Sequence, residues 1–150
     1  MNEVNVLTID FWACSHTWLA SAKNTGWCLM GCAAGDLGTI YFFQLYDFNW
    51  SVLAIMSLAM INGLIASICL ETTVLMTKGI DLKNAISTAL GMSFLSMISM
   101  ELAMNVTDFF LAGGTAQIQA SYIPIILLFG FITPWPYNYW RLKALGKACH

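Results

Sequence analysis

Four long apolar runs, separated by short polar turns, constrain this chain more than any other feature. The runs cover about 25–45, 51–76, 85–112 and 118–140. About twenty helical residues cross a hydrocarbon core of roughly 30 Å, so each run is long enough to span a membrane once. Charged residues make up only 9% of the 150 residues, whereas about a quarter is usual in soluble domains. The sequence therefore predicts an all-α, four-helix transmembrane bundle.

The segment before the first run is too short and too polar to span a membrane. Between residues 11 and 23 it carries four large apolar side chains that share one predicted helix face: Phe11, Trp12, Trp18 and Leu19. A short interfacial amphipathic helix is expected here. We accordingly divide the chain into a cytoplasmic or interfacial N-terminal segment (1–24), a four-span membrane domain (25–140) and a cytoplasmic tail (141–150).

All six basic residues fall on one side of the membrane in a four-span topology. They lie before the first run, between the second and third runs, and after the fourth: Lys23, Lys78, Lys83, Arg141, Lys143 and Lys147. The positive-inside rule assigns that side to the cytoplasm. We therefore expect a multi-pass protein of the cell (inner or plasma) membrane with both termini in the cytoplasm.

Glycine and proline residues predict how the helices pack. Gly31 and Gly35 lie one turn apart on the first span, a spacing that lets two helix backbones approach closely. Pro124, Pro134 and Pro136 interrupt the fourth run. Because proline removes a backbone donor and clashes with the preceding turn, that span should be kinked or partly unwound near its end.

Polar side chains inside the predicted spans are the first candidates for function, because an unpaired charge in a membrane costs several kcal/mol. Five of them are Asp36, Glu71, Glu101, Asn105 and Asp108. On the third span, steps of three or four residues place one stripe on a single helix face: Met97, Glu101, Met104, Asn105 and Asp108. Such a stripe indicates an ion or proton path, a metal site, or a protonated carboxyl that is hydrogen-bonded to a neighbouring helix.

Soft-metal binding is one alternative. Cys28, Cys32 and Asp36 follow one another at one-turn intervals on the first span, and thiolates and thioethers prefer soft cations such as a Cu(I) ion. The candidate ligands of this copper-like site are Cys28, Cys32, Asp36, Met100, Glu101 and Met104. Cysteine and methionine also fill gaps in buried helices, which is the competing interpretation. In the predicted topology the remaining thiols and imidazoles belong to the cytoplasmic half: Cys14, His16, Cys69, Cys149 and His150.

Several classes of function are excluded by composition. The scattered basic residues form no patch for nucleic acid, and there is no phosphate-binding glycine motif and no credible Ser-His-Asp set. The chain is therefore not expected to be an enzyme by itself. Three hypotheses remain: an accessory or structural subunit of a larger membrane complex, a soft-metal binding or transport protein, and a proton-coupled carrier that uses Asp36 and Glu101. The first is favoured, because four helices enclose little room for a path, and the expected partners are membrane lipid and other subunits or a second copy.

Three motifs carry a resemblance to a known family. They are Gly-Cys-Ala-Ala-Gly-Asp at 31–36, Ser-Met-Glu-Leu-Ala-Met-Asn at 99–105 and Pro-Tyr-Asn-Tyr-Trp at 136–140. In order and spacing the chain resembles a prokaryotic membrane family known as domain of unknown function 4396. The resemblance implies the same four-helix architecture and supplies no activity. Trp27 stands where the family pattern has a histidine before the first cysteine, so a His-Cys-Cys metal site cannot be carried over intact.

Overall fold

The fold was analysed in a computed structural model that describes residues 9–46 and 48–144. In this part of the chain helices are the only regular secondary structure and there are no strands, which confirms the predicted all-α class. Its helices are α1 (Ile9–Trp12), α2 (Ser15–Tyr46), α3 (Val52–Thr77), α4 (Leu82–Leu111), α5 (Ile123–Ile132) and α6 (Trp135–Ala144).

Three of these helices, α2, α3 and α4, are long and apolar enough to cross a membrane. Helices α3 and α4 begin at the polar turns that the sequence predicts. The side chains of Ser51 and Asp81 each accept a hydrogen bond from a backbone N–H in the first turn of α3 and α4, which satisfies donors that helix geometry leaves free. After α4 the chain turns through Gly113 and Gly114, whose φ angles of +66° and +85° are readily adopted only by glycine.

The fourth apolar run forms two helices instead of one. α5 and α6 contain ten residues each, and Thr133 and Pro134 lie between them. Pro124 lies in the first turn of α5 and Pro136 in the first turn of α6, positions where proline costs no internal hydrogen bond. The predicted interruption is present, and neither helix alone is long enough to span a membrane.

A separate N-terminal helix over residues 11–23 is not found in the described part of the chain. After the four-residue α1, helix α2 continues for 32 residues without a break at the expected boundary near residue 24. At 1.5 Å per residue α2 is about 48 Å long, well above the roughly 30 Å of a hydrocarbon core. The prediction of an N-terminal helix separate from the first span was therefore wrong, and its location at the membrane interface stays a prediction.

Helix α2 extends toward the N-terminus beyond the predicted span because small hydroxyl side chains of this segment are buried within the protein. Thr17, Ser21 and Thr25 are all fully buried. The Ser21 hydroxyl donates to the backbone carbonyl of Trp135 at 3.3 Å, and the Asn138 amide donates to the Thr25 hydroxyl at 2.7 Å. Residues that look like a wet surface in the sequence therefore form the contact between α2 and α6.

The same end of the molecule is held by aromatic side chains. Tyr139 is fully buried, and its ring lies 4.2 Å from that of Trp18 and 5.1 Å from that of Trp12, measured between centroids. Its hydroxyl donates to the backbone carbonyl of Phe11 at 2.6 Å. Part of the Pro-Tyr-Asn-Tyr-Trp motif thus attaches α6 to the first described residues.

Close backbone contact joins α2 and α3. A Cβ atom on Gly31 would lie 2.5 Å from the Cα of Ser67, and one on Gly35 would lie 2.4 Å from the backbone oxygen of Asn62. Real Cβ atoms are not found at such distances, so glycine is required at both positions. The predicted role of this glycine pair in helix packing is confirmed.

Candidate intramembrane carboxyl site

The polar stripe predicted on α4 faces the interior of the protein. Met97, Glu101, Met104 and Asp108 are fully buried, and Asn105 is 4% exposed. All five therefore share one buried face of α4, as their spacing predicted.

Asp36 on α2 meets this stripe at Asn105. The Asn105 Nδ2 group donates to Asp36 Oδ1 at 3.1 Å and to the backbone carbonyl of Glu101 at 3.0 Å. Asp36 itself is 1% exposed, and it is near enough to Glu101 for the two carboxyls to interact electrostatically. One amide group therefore connects two buried carboxylic residues on different helices.

Glu101 occupies space that a glycine on α3 leaves open. A Cβ atom on Gly63 would lie 1.9 Å from Glu101 Oε1. Among the described residues no N–H or O–H group donates to either carboxyl oxygen of Glu101, and its hydrogen-bonding neighbour is the Cys32 thiol, a weak donor. Leaving a buried polar group unpaired costs about 1–3 kcal/mol, and more when it is charged. This carboxyl is therefore held at a cost in stability, in contact with α2 and α3.

Further acceptors without partners lie along the same face. Both carboxyl oxygens of Asp108 and the Oδ1 atom of Asn105 are buried without a hydrogen bond from any described residue. Seven positions, or about 10 Å of helix rise, separate Glu101 from Asp108. The face thus presents a row of oxygen atoms that are able to bind a proton or a small cation.

The soft candidate ligands pack into one core cluster beside these carboxyls. Cys28, Cys32, Met97, Met100 and Met104 belong to it together with an isoleucine of α5. In the described parts of the chain, no group of three or more His, Cys, Asp or Glu side chains is arranged to hold a metal ion. Core packing, the competing interpretation, accounts for the burial of these thiols and thioethers.

The other soft side chains of the described residues do not join this cluster. His16 and Cys69 are exposed, Cys14 is half-buried, and Cys149 and His150 lie outside the described residues. Trp27, at the position of the family's histidine, is 43% exposed.

Glu71 belongs to a second polar group, nearer the turn between α3 and α4. Its Oε1 atom accepts a hydrogen bond from the Ser93 hydroxyl at 2.7 Å. Sequence analysis singled out Glu71 and missed Ser93, Ser67 and Gly63. The spacing of these residues could have indicated that they share helix faces with the carboxyls. Gly63, Ser67 and Glu71 recur every four residues on α3. On α4, Ser93 precedes Glu101 by eight residues, which is two such steps.

An all-helical membrane protein with carboxyl side chains buried between its long helices is the class that this fold and site define. Within that class, the profile of the family described as domain of unknown function (DUF4396) matches residues 17–147. The chain belongs to this family, which confirms the resemblance of its three motifs. No curated protein and no solved structure matches the chain.

Proposed function

We propose that this chain is a four-span protein of the cell membrane, with both termini in the cytoplasm, that moves protons by means of Glu101 and Asp36. In this proposal it conducts protons across the membrane and is not itself an enzyme. The observation that carries the proposal is the Glu101 carboxyl, which is fully buried and is reached by no N–H or O–H donor among the described residues, with only the weakly donating Cys32 thiol beside it. Ionisable side chains are expensive inside a membrane and commonly mark proton or ion pathways there.

The arrangement around Glu101 supports proton transfer. Asp36 lies close by on α2, and the Asn105 amide holds one of its oxygens. Polar side chains continue along the buried face of α4 from Ser93 to Asp108. Fifteen helical steps correspond to about 22 Å, most of a hydrocarbon core of roughly 30 Å. A proton moving along this face would cover much of the membrane thickness.

Contacts of α5 and α6 support the fourth crossing. Gly130 of α5 lies against Met104 in the C-terminal third of α4, where a Cβ atom would lie 2.6 Å from a methionine carbon. Farther along, Asn138 of α6 binds Thr25 near the start of α2. Helices α5 and α6 thus follow one another beside α4 and α2, which are long enough to span the membrane. Together α5 and α6 are long enough to cross it once, although neither is long enough alone.

Proton flux through the purified chain tests the proposal. Wild-type protein in liposomes should dissipate an imposed pH gradient, read by a pH-sensitive dye inside the vesicles. Glu101→Gln keeps the shape of the side chain and removes its ionisable proton, so we expect the rate to fall at least about tenfold, equivalent to about 1.4 kcal/mol in barrier height. Asp81→Asn, at the exposed turn before α4, is the control and should keep the wild-type rate. A wild-type rate in Glu101→Gln, at equal incorporation, would contradict the proposal.

A role as an accessory subunit is the second candidate. A groove of about 480 Å³ between α3 and α4 favours it. The groove is lined mainly by apolar side chains, among them Met56, Met60, Val106 and Phe109, and Asn105 also borders it. A helix of a partner protein could cover this groove and reach the region of the buried carboxyls. Flux by the purified chain alone would argue against this candidate, whereas flux that requires a co-purifying membrane protein would support it.

A further inference from the structure

We propose that Glu71, Ser93 and Ser96 form a second proton-binding site, through which the proton on Glu101 exchanges with the cytoplasm. This inference rests on the proposed function and extends it by naming the route and the side of access. The site lies toward the end of α3 and α4 at which Lys78 and Lys83 border the connecting turn.

The geometry at Glu71 resembles that at Glu101 in having unpaired acceptors. Glu71 Oε1 accepts the Ser93 hydroxyl at 2.7 Å, while Glu71 Oε2 is buried without a partner among the described residues. The Ser96 side chain, 1% exposed, likewise has a hydroxyl oxygen for which the described residues supply no partner. Buried polar atoms that lack protein partners commonly bind ordered water. Ordered water molecules, which are able to relay protons, are therefore expected between these side chains.

Charged and titratable groups of the neighbouring helices lie within electrostatic range of Glu71. Arg141 of α6 interacts with it electrostatically, and its guanidinium donates to the backbone carbonyl of Gly91 at 2.9 Å. Cys28 of α2 also interacts with Glu71 electrostatically. An arginine close to a carboxyl at the basic side of the protein places this site where it can exchange protons with water.

The route that we propose between Glu71 and Glu101 follows one face of α3. Gly63, against which the Glu101 carboxyl lies, is two four-residue steps from Glu71, a rise of about 12 Å. Ser67 occupies the intermediate step. Its hydroxyl is 3.3 Å from the Cys28 sulfur and donates to the Cys28 carbonyl at 3.2 Å.

Proton transfer along this route returns Glu71 and every intermediate water or hydroxyl to its starting state, ionised Glu101 gains one proton, and release of that proton follows the same steps in reverse. A hydronium ion gives a proton to Glu71, and each water or hydroxyl that follows accepts one proton and releases another. The last proton binds to Glu101, and Glu71 is again ready to accept one. No oxidant, reductant or covalent intermediate is involved.

Infrared spectroscopy of the full chain in liposomes tests the route. The C=O stretching band of protonated Glu101 is assigned as the band that disappears in Glu101→Gln. After transfer from H₂O to D₂O this band shifts, and the rate of the shift measures how fast the proton on Glu101 exchanges with solvent. We expect Glu71→Gln to slow this exchange at least about tenfold, Glu71→Asp to retain part of the rate, and Asp81→Asn to leave it unchanged. A mere loss of packing would not slow exchange at a buried group, because local opening increases access to solvent.

The possible outcomes separate this inference from the proposed function. Loss of flux in Glu101→Gln, combined with wild-type flux and exchange in Glu71→Gln, would overturn the route and leave the function standing. Wild-type flux in both variants would refute the function, and slow exchange in Glu71→Gln would then still support the route. The absence of any band assigned to Glu101 would overturn both. Should Glu71→Gln fail to fold, Ser93→Ala and Ser96→Ala replace it, with the same slowing expected and a wild-type rate in both counting against the route.

Discussion

Gly63 determines where the Glu101 carboxyl can lie. Because glycine has no Cβ atom, the carboxyl of a residue on α4 reaches the backbone of α3 and stays fully buried there. The neighbouring glycines of α2 act differently, since a Cβ atom at Gly31 or Gly35 would meet the backbone of α3. A flexible side chain can move aside and a helix backbone cannot, so these glycines should respond differently to the same substitution.

At Gly63 we predict a loss of function with a small loss of stability. Gly63→Ala places a methyl group 1.9 Å from the position of Glu101 Oε1, so the carboxyl must leave its present position beside Asp36 and Cys32. Proton flux in liposomes should fall several-fold while the protein remains folded by circular dichroism. Gly91→Ala, on the same helix as Glu101 and with open space around the added carbon, should keep wild-type flux. Unchanged flux in Gly63→Ala would show that the position of this carboxyl is not critical.

The inward face of α4 could be predicted from the sequence because helical periodicity fixes which residues share a face. Glu101, Asn105 and Asp108 were all assigned to that face correctly. The partners could not be predicted. Periodicity within one helix carries no information on the register between helices, so the contact of Asn105 with Asp36 and the opening at Gly63 required the three-dimensional structure.

At the scale of helices, the contact between α2 and α3 is set by glycine. We predict that Gly35→Ala destabilises the protein, because the added carbon would lie 2.4 Å from a backbone oxygen of α3. Overpacking of this kind costs about 1–3 kcal/mol. Thermal unfolding in detergent should therefore begin at a lower temperature than in wild type. The control is Gly38→Ala, three residues along the same helix, which meets nothing within 4 Å; equal melting temperatures for the two variants would contradict this account.

Three helix positions and the polar turns were predictable, since long apolar runs bounded by charged or amide residues have few alternative structures in a membrane. The position at which α2 begins was not predictable in the same way. Thr17, Ser21 and Thr25 read as a polar, interfacial segment, yet they are buried against α6. Small hydroxyls pack closely and hydrogen-bond to backbone or amide groups, so composition alone does not distinguish a wet surface from a tight helix contact.

For the whole molecule, we predict four crossings with the turn between α3 and α4 on the same side as the end of α6. Single cysteines introduced into a cysteine-free chain report this through a membrane-impermeant thiol reagent. Thr115→Cys should react in intact cells, whereas Thr77→Cys and Ala144→Cys should react only after lysis; all three positions are exposed. Reaction of Ala144→Cys in intact cells would instead indicate three crossings, with α5 and α6 failing to span.

The bonds between α6 and the start of α2 have a consequence for how the protein is made. Asn138 binds Thr25 across 113 positions of sequence, and Tyr139 binds the carbonyl of Phe11 across 128. A ribosome synthesises α2 long before it synthesises α6, which covers the buried hydroxyl side chains of α2. During that interval Thr17 and Ser21 must find temporary partners in water, lipid headgroups or the insertion machinery. Helix α2 therefore reaches its final environment only when α6 has been translated.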